Sequence, residues 1–537
     1  MILLLLACAT EDGPSDGLTL LSPREQLIRV SMDLRGVHPS EEELVAIEGA
    51  PSLYDDFVDR YLEDERFLDR VEEVWNLRFL TRNGNSYFDP MEAGIVGLDA
   101  AAVADSVADE PLRLVRHIAE HDLSYTEVVL ADYTMADPVV AQMWNTDYPA
   151  GATGWQAAHY QDGRPHAGIL TMTTIWQKYP SMGGNANRHR ANAVSKMLLC
   201  DDYLERPIVL SRANIDQLTI DPELAIQSDT CQSCHATMDP LSAHFFGFFR
   251  YESDNMGIRE ATLYRPENEQ GWREYANKSP GYYGRPTANL RELAESMVED
   301  PRFADCAVQT AFEGFGQRTL TDSDWAEFSS IRDSFVANGM TIKPLVRSIV
   351  TSREYLATSA ADEATNDRLP TVKTASPAQL ASTIEDITGY RWTFNGRDGL
   401  TTQDMGLPVL AGGVDGDFVS TATYEPSLGM AFIQERLAQS AGYAVADHDL
   451  DAARTDPAIL LKYVTATDTP DTAPDAFDAQ VRYLYLRATG LPLAADATEP
   501  AAAAVLWKQL YSVEANPTQA WAGIVSAVLR DPRVLFY

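Results

Sequence analysis

Cys231-Gln232-Ser233-Cys234-His235, continuing as Ala236-Thr237-Met238-Asp239-Pro240-Leu241, constrains this 537-residue chain more than any other stretch. Two thiols three positions apart, with a His directly after the second, suit a haem held by two thioether bonds while the imidazole takes the iron. A fold that carries such a group must bring both sulfurs and the ring to one surface and shield the porphyrin with apolar side chains. Two other uses compete for the same residues. A zinc site needs two further Cys or His ligands, and no second paired motif exists. A Cys231–Cys234 redox disulfide normally opens a helix within alternating strands and helices, a pattern this sequence lacks. We therefore read one covalent haem c, with Cys231 and Cys234 as attachment points, His235 as proximal iron ligand and Met238 packed near the same face.

Met238 follows His235 too closely to reach the other side of the iron. Met256, Met182, His189 and His244 are the distal candidates, and the sequence neither chooses among them nor says whether the sixth position is open. Phe245-Phe246-Gly247-Phe248-Phe249-Arg250-Tyr251 would supply an aromatic wall that keeps water from a porphyrin, and it also reads as plain core.

The remaining cysteines fit an exported chain. Met1 to Cys8 is an apolar run ending in Leu-Leu-Ala-Cys, similar to a bacterial lipoprotein processing box, which makes Cys8 the expected lipidation site. Residues 9–20 then read as a polar tether. Cys200 and Cys306 are left over, and in an oxidising compartment they are expected to form a disulfide around the haem motif. No later stretch is apolar enough for a span, so membrane attachment is expected by lipid anchor only, at the periplasm or cell surface. The 79 acidic against 42 basic residues give a net charge of −37, which disfavours nucleic acid because phosphate binding needs a positive face. That charge also suits solubility after export.

Hydrophobic periodicity predicts a mainly α fold built of several helical modules, with short irregular or hairpin insertions. The layout of helix, glycine turn, capped helix and final Arg-plus-apolar step occurs at Ser22 to Leu68, Phe315 to Leu356 and Leu486 to Leu535. Strand signals are few, near Gly168 to Trp176 and Val409 to Thr423. The expected domains are 21–150 (N-terminal, helical), 151–357 (haem motif and following helical module) and 377–537 (C-terminal, helical), with 358–376 as a linker poor in apolar period. Residues 1–8 are read as the signal remnant.

Two further motifs are weaker. His117-Ile118-Ala119-Glu120-His121 has an inverted zinc-protease spacing, but Asp122-Leu123-Ser124 reads as a helix end. Asp447-His448-Asp449-Leu450-Asp451 alternates acids as calcium loops do, yet Ala452 stands where glycine is required. There is no P-loop, dinucleotide fingerprint or nucleophile elbow.

Arg29 to Ser40 with Phe57 to Leu62, Arg164 to Thr174, Met197-Leu198-Leu199-Cys200, Cys231 through Leu241, and Phe303 to Cys306 with Gly316-Gln317-Arg318 and Leu345 to Ser352 together resemble the large secreted cytochrome c-like proteins first noted in planctomycetes. In that family C-x-x-C-H followed by Met-Asp-Pro is the signature. This chain has Ser242-Ala243-His244 where the family pattern runs Gly-Phe-Ala-Leu-Glu. The resemblance implies an exported c-type cytochrome-like lipoprotein with an electron-transfer or redox role at the cell envelope, and a redox partner protein or neighbouring cytochromes. The alternatives are a scaffolding envelope lipoprotein with a Cys231–Cys234 disulfide, and a haem enzyme handling oxygen or peroxide.

Overall fold

The computed structural model describes residues 17–82, 95, 97–181, 185–207, 216, 228–248, 264–275, 278–369, 372–402 and 405–537. The fold is mainly α, 59% helical against 5% strand. Among the described residues the strands form four antiparallel pairs, Leu18–Leu20 with Ala357–Ala360, Thr134–Ala136 with Gln156–Ala158, Gly281–Tyr282 with Arg285–Pro286, and Thr393–Phe394 with Arg397–Asp398. No described helix is long and apolar enough to cross a membrane.

Helix α1 (Pro23–Arg35) shows how the sequence sets its elements. Ser22 accepts from the Glu25 amide while Glu25 reaches back to the Ser22 amide, Pro23 occupies the first turn where its missing N–H does no harm, and Gly36 ends the helix with φ +68°. A closely similar helix, α9 (Pro377–Thr388), has Ser376, Pro377, Gln379 and Gly389 in the same roles. The two pack together: Gln379 Nε2 donates at 2.7 Å to the Met32 carbonyl, which also accepts the Gly36 amide, and Thr383 Oγ1 donates at 3.0 Å to the Gly36 carbonyl just past the end of α1. The turn at Gly490 also seats on α1, where Arg24 donates to its carbonyl and a β-carbon would meet Ile28 at 2.7 Å. Helices α2 (Glu41–Gly49), α3 (Tyr54–Leu62), α4 (Glu65–Phe79) and α5 (Ala100–Glu120) follow.

The Arg-plus-apolar step has a physical form at two of its three expected places, Arg66 and Arg533, and again at Arg302 outside them, whereas the expected step at Arg353 lies in a turn. Asp64, Asp300 and Asp531 each cap a helix by accepting the amide of the Arg two positions on, and that Arg folds its own Nε back onto the same carboxylate. Buried apolar side chains run as one contiguous core from Leu27 to Leu535, with a smaller cluster around Val103, Trp144 and Tyr160.

Two expectations need correction. The stretch 358–376 is not a free linker: Ala357–Ala360 pairs with Leu18–Leu20, Glu363–Asn366 is helical, and Lys373 is wholly buried on Asp33. Its fixed points are polar, Arg368 on Asp324 and Glu354 and Lys373 on Asp33, which is why it shows no hydrophobic period. Gly168–Thr171 and Thr173–Lys178 are helical turns where strand was expected, and Leu407–Leu410 is helical within 409–423. At Gly168 (φ +49°) a β-carbon would lie 2.1 Å from the Val128 carbonyl oxygen, so chain crossing and not pairing places the glycine.

His38, between α1 and α2, is buried with neither ring nitrogen hydrogen-bonded among the described residues. Burial, helped by the Arg487 charge, holds its pKa down to about 4 from 6.5. The unfolded chain therefore takes up this proton as pH falls below 6.5 while the folded chain resists until about 4. Stability is expected to drop by about 3 kcal/mol across that window. Urea midpoints at pH 7 and pH 4.5 should differ less in His38→Met than in the wild type; equal differences would refute this role.

Candidate functional site

Two helices and a bridge build the site. Helix α6 (Arg188–Leu199) runs from Asn187 to Cys200, and helix α7 (Asp229–Ser242) carries the pentapeptide. Asp229 in the first turn of α7 favours its N-terminus, and Pro240 comes late enough to break only the last turn. Ser242 Oγ donates to the Asp239 carbonyl, and the chain then tightens into the 3-10 turn Ala243–Phe248.

Within α7 the residues Cys231, Cys234, His235 and Met238 stand at i, i+3, i+4 and i+7, which puts them on one face. Cys234 is buried, Cys231, His235 and Met238 are half-buried, and both cysteines are free thiols. Side chains three apart on a helix have their β-carbons about 5–6 Å apart. A disulfide needs about 3.5–4.5 Å, so a Cys231–Cys234 bridge would have to distort the helix.

His235 Nδ1 lies 3.0 Å from Asp239 Oδ1, one turn on, and its Nε2 has no hydrogen bond to any described residue. Asp239 is 3% exposed and also receives Arg188 Nε at 2.7 Å. Burial pushes its carboxyl up, but the bonds from His235 and Arg188 outweigh this and hold it below the ordinary carboxylate range. On another side of α7, Thr237 Oγ1 meets Tyr203 OH at 3.0 Å, and Tyr203 continues to Tyr283 and Asp201.

The far end of α6 is fixed as firmly. Cys200 and Cys306 form a disulfide with Cα atoms 5.2 Å apart, tying α6 to α8 (Pro301–Gly316) as the leftover-cysteine reading expected. From the first turn of α6, buried Arg190 donates to the Phe245 and Phe248 carbonyls, and both rings pack on Trp176. These phenylalanines are core against Trp176; Phe249, Arg250 and Tyr251 lie outside the described residues.

The distal candidates separate. His244 is buried, with Nδ1 3.1 Å from the Leu241 carbonyl and Nε2 2.7 Å from Thr287 Oγ1, and burial holds its pKa down to about 4. Both nitrogens are engaged, so it is not available to iron. His189, next to Arg188, is exposed; its Nδ1 sits 3.0 Å from the Pro180 carbonyl and its Nε2 has no described partner. Met182 and Met256 lie outside the described residues, as does Cys8.

The weaker motifs dissolve into structure. The His117 and His121 rings lie 4.2 Å apart and tilted by 39°, with the His121 Nδ1 against the His117 carbonyl at the helix end. Asp449 accepts the amides of Ile459, Leu460 and Leu461, so both its oxygens are engaged by the backbone. A group the sequence did not suggest is Asp324, Glu327 and Glu354, whose oxygens lie within 4.8 Å of one another. Arg318 and Arg368 fill it, with Arg318 at 2.6 Å from Asp324 and Glu327, and Arg368 at 2.9 Å from Asp324 and 2.8 Å from Glu354. A cavity of about 830 Å³ lies elsewhere, bordered by α4, α5 and helix α9 (Pro377–Thr388), and none of the motif residues lines it.

The donor set fits a covalent haem: two thiols and a ring on one helix face, the ring held through the nitrogen that iron does not need. Comparison with protein-family models, with curated proteins and with solved structures finds no match to this chain.

Proposed function

We propose that this chain is an exported, lipid-anchored c-type cytochrome-like protein that passes single electrons at the cell envelope. The observation that carries this is the common face of Cys231, Cys234, His235 and Met238, with His235 Nδ1 engaged and Nε2 without a hydrogen bond to any described residue. Each thiol S–H adds across one vinyl group, forming a C–S bond while the hydrogen goes to the neighbouring carbon, so attachment consumes no oxidant. A haem held there would supply a one-electron couple between a reduced partner and an acceptor. Cys231 and Cys234 would hold it, His235 would ligate the iron, and Met238 would pack near the same face. A single haem does not carry charge far, so a redox partner protein or neighbouring cytochromes complete the path. The envelope location rests on the Met1 to Cys8 run and the acidic composition, and the kinship with the planctomycete-type secreted proteins rests on the signature through Pro240.

Produced in a host with haem-attachment machinery, the protein should be red, with a Soret band and a haem stain that survives a denaturing gel. Cys231→Ala with Cys234→Ala should abolish the stain. A colourless wild type without added haem mass refutes the proposal. Iron that is high-spin and binds cyanide would redirect it to oxygen or peroxide chemistry, whereas low-spin iron indifferent to cyanide keeps electron transfer.

A further inference from the structure

We infer that Asp239, counterbalanced by Arg188, is the positioning residue of the iron-ligating imidazole and holds the haem's reduction potential low. This deepens the haem proposal and rests on it. A neutral imidazole has one N–H. If Nε2 binds iron, the proton must sit on Nδ1, and Asp239 Oδ1 at 3.0 Å is placed to accept it. The i to i+4 spacing on α7 fixes the ring's rotation as well as its tautomer.

The acceptor is a carboxylate, not a carbonyl, and it is buried. Drawing on the Nδ1 proton, it raises electron density at Nε2 and stabilises the more positive, oxidised iron. Arg188 works against this. Its Nε, 2.7 Å from the same carboxylate, withdraws part of that negative charge and places a positive one nearby. Reduction then adds one electron to the iron while the proton stays on Nδ1, so electron uptake needs no coupled proton. The competing view is that Asp239 and Arg188 merely pin α6 to α7. That view gives the two residues the same task, while the electrostatic role gives them opposite effects.

The test is a spectroelectrochemical titration of the full haem-loaded chain as wild type, Asp239→Asn and Arg188→Gln. At one fixed ambient potential, Asp239→Asn should raise the ratio of reduced to oxidised haem about tenfold, equivalent to about 59 mV for one electron. Arg188→Gln should lower that ratio, and Asp239→Glu should return it toward wild type. Unchanged ratios, or shifts of the same sign in Asp239→Asn and Arg188→Gln, overturn the inference while leaving the haem proposal standing. If Asp239→Asn does not retain haem, the sign in Arg188→Gln decides. A colourless wild type overturns both.

Discussion

Lys373→Met is expected to remove about 3–5 kcal/mol of stability, because it strands a carboxylate in the core. Asp33 is 1% exposed and accepts from Lys373 Nζ, Tyr355 OH and Tyr537 OH, the last at 2.6 Å. Lys373 also donates to the Phe315 carbonyl at 2.7 Å. Burial pushes the ammonium down to about 8, against the pull of Asp33, so it remains charged at neutral pH. The pair joins α1, the segment before α9 and Tyr537, so its loss should lower the whole unfolding transition and not fray one end. Adding Asp33→Asn should recover most of the loss, since no charge remains to be stranded and the amide accepts from one tyrosine through Oδ1 while donating to the other hydroxyl through Nδ2. Urea unfolding at pH 7 checks both variants. A single variant within 1 kcal/mol of wild type, or a double variant worse than the single, would sink this account.

Opening the Cys200–Cys306 bridge is the second large effect. The bridge spans 106 positions, and a closed loop of that size restricts the unfolded chain by about 4.7 kcal/mol on chain-entropy grounds. The native state also loses its tie between α6 and α8, so Arg188 and Arg190 lose the fixed helix that aims them. Cys306→Ser should therefore melt several degrees below wild type, and reductant should lower the wild type toward the variant while leaving the variant unmoved. Superimposable melting curves with and without reductant would refute it.

Local chemistry made part of this fold legible. Ser22-Pro23 and Gly36 mark both ends of α1, Asp64-Glu65-Arg66 announces its cap, and the cysteine left-overs named their own pairing. Buried polar networks were not legible, because their partners are distant in sequence. Glu110, fully buried, accepts from Thr134, Trp144, Tyr160 and Thr174, and inside α5 it reads as one more surface acid. Lys373 sits among Thr, Asp and Ala, so nothing in its neighbourhood signals a core position. At the candidate site, the i, i+3, i+4, i+7 face follows from spacing alone. The Arg188 contact to Asp239 does not, since 51 positions separate them and only the packing of α6 on α7 joins them.

The bridge around the motif also bears on the order in which the chain matures. Besides Cys8, four cysteines permit three pairings into two bridges. In the unfolded chain Cys200 is 31 positions from Cys231 and 106 from Cys306, so loop closure favours the wrong partner by roughly 1 kcal/mol. On the proposed function, thioether formation at Cys231 and Cys234 takes both competitors out of the pool and leaves Cys200 one partner. Haem attachment before oxidation is then a proofreading step for the disulfide, and a host that oxidises thiols faster than it attaches haem should accumulate misbridged, colourless chains.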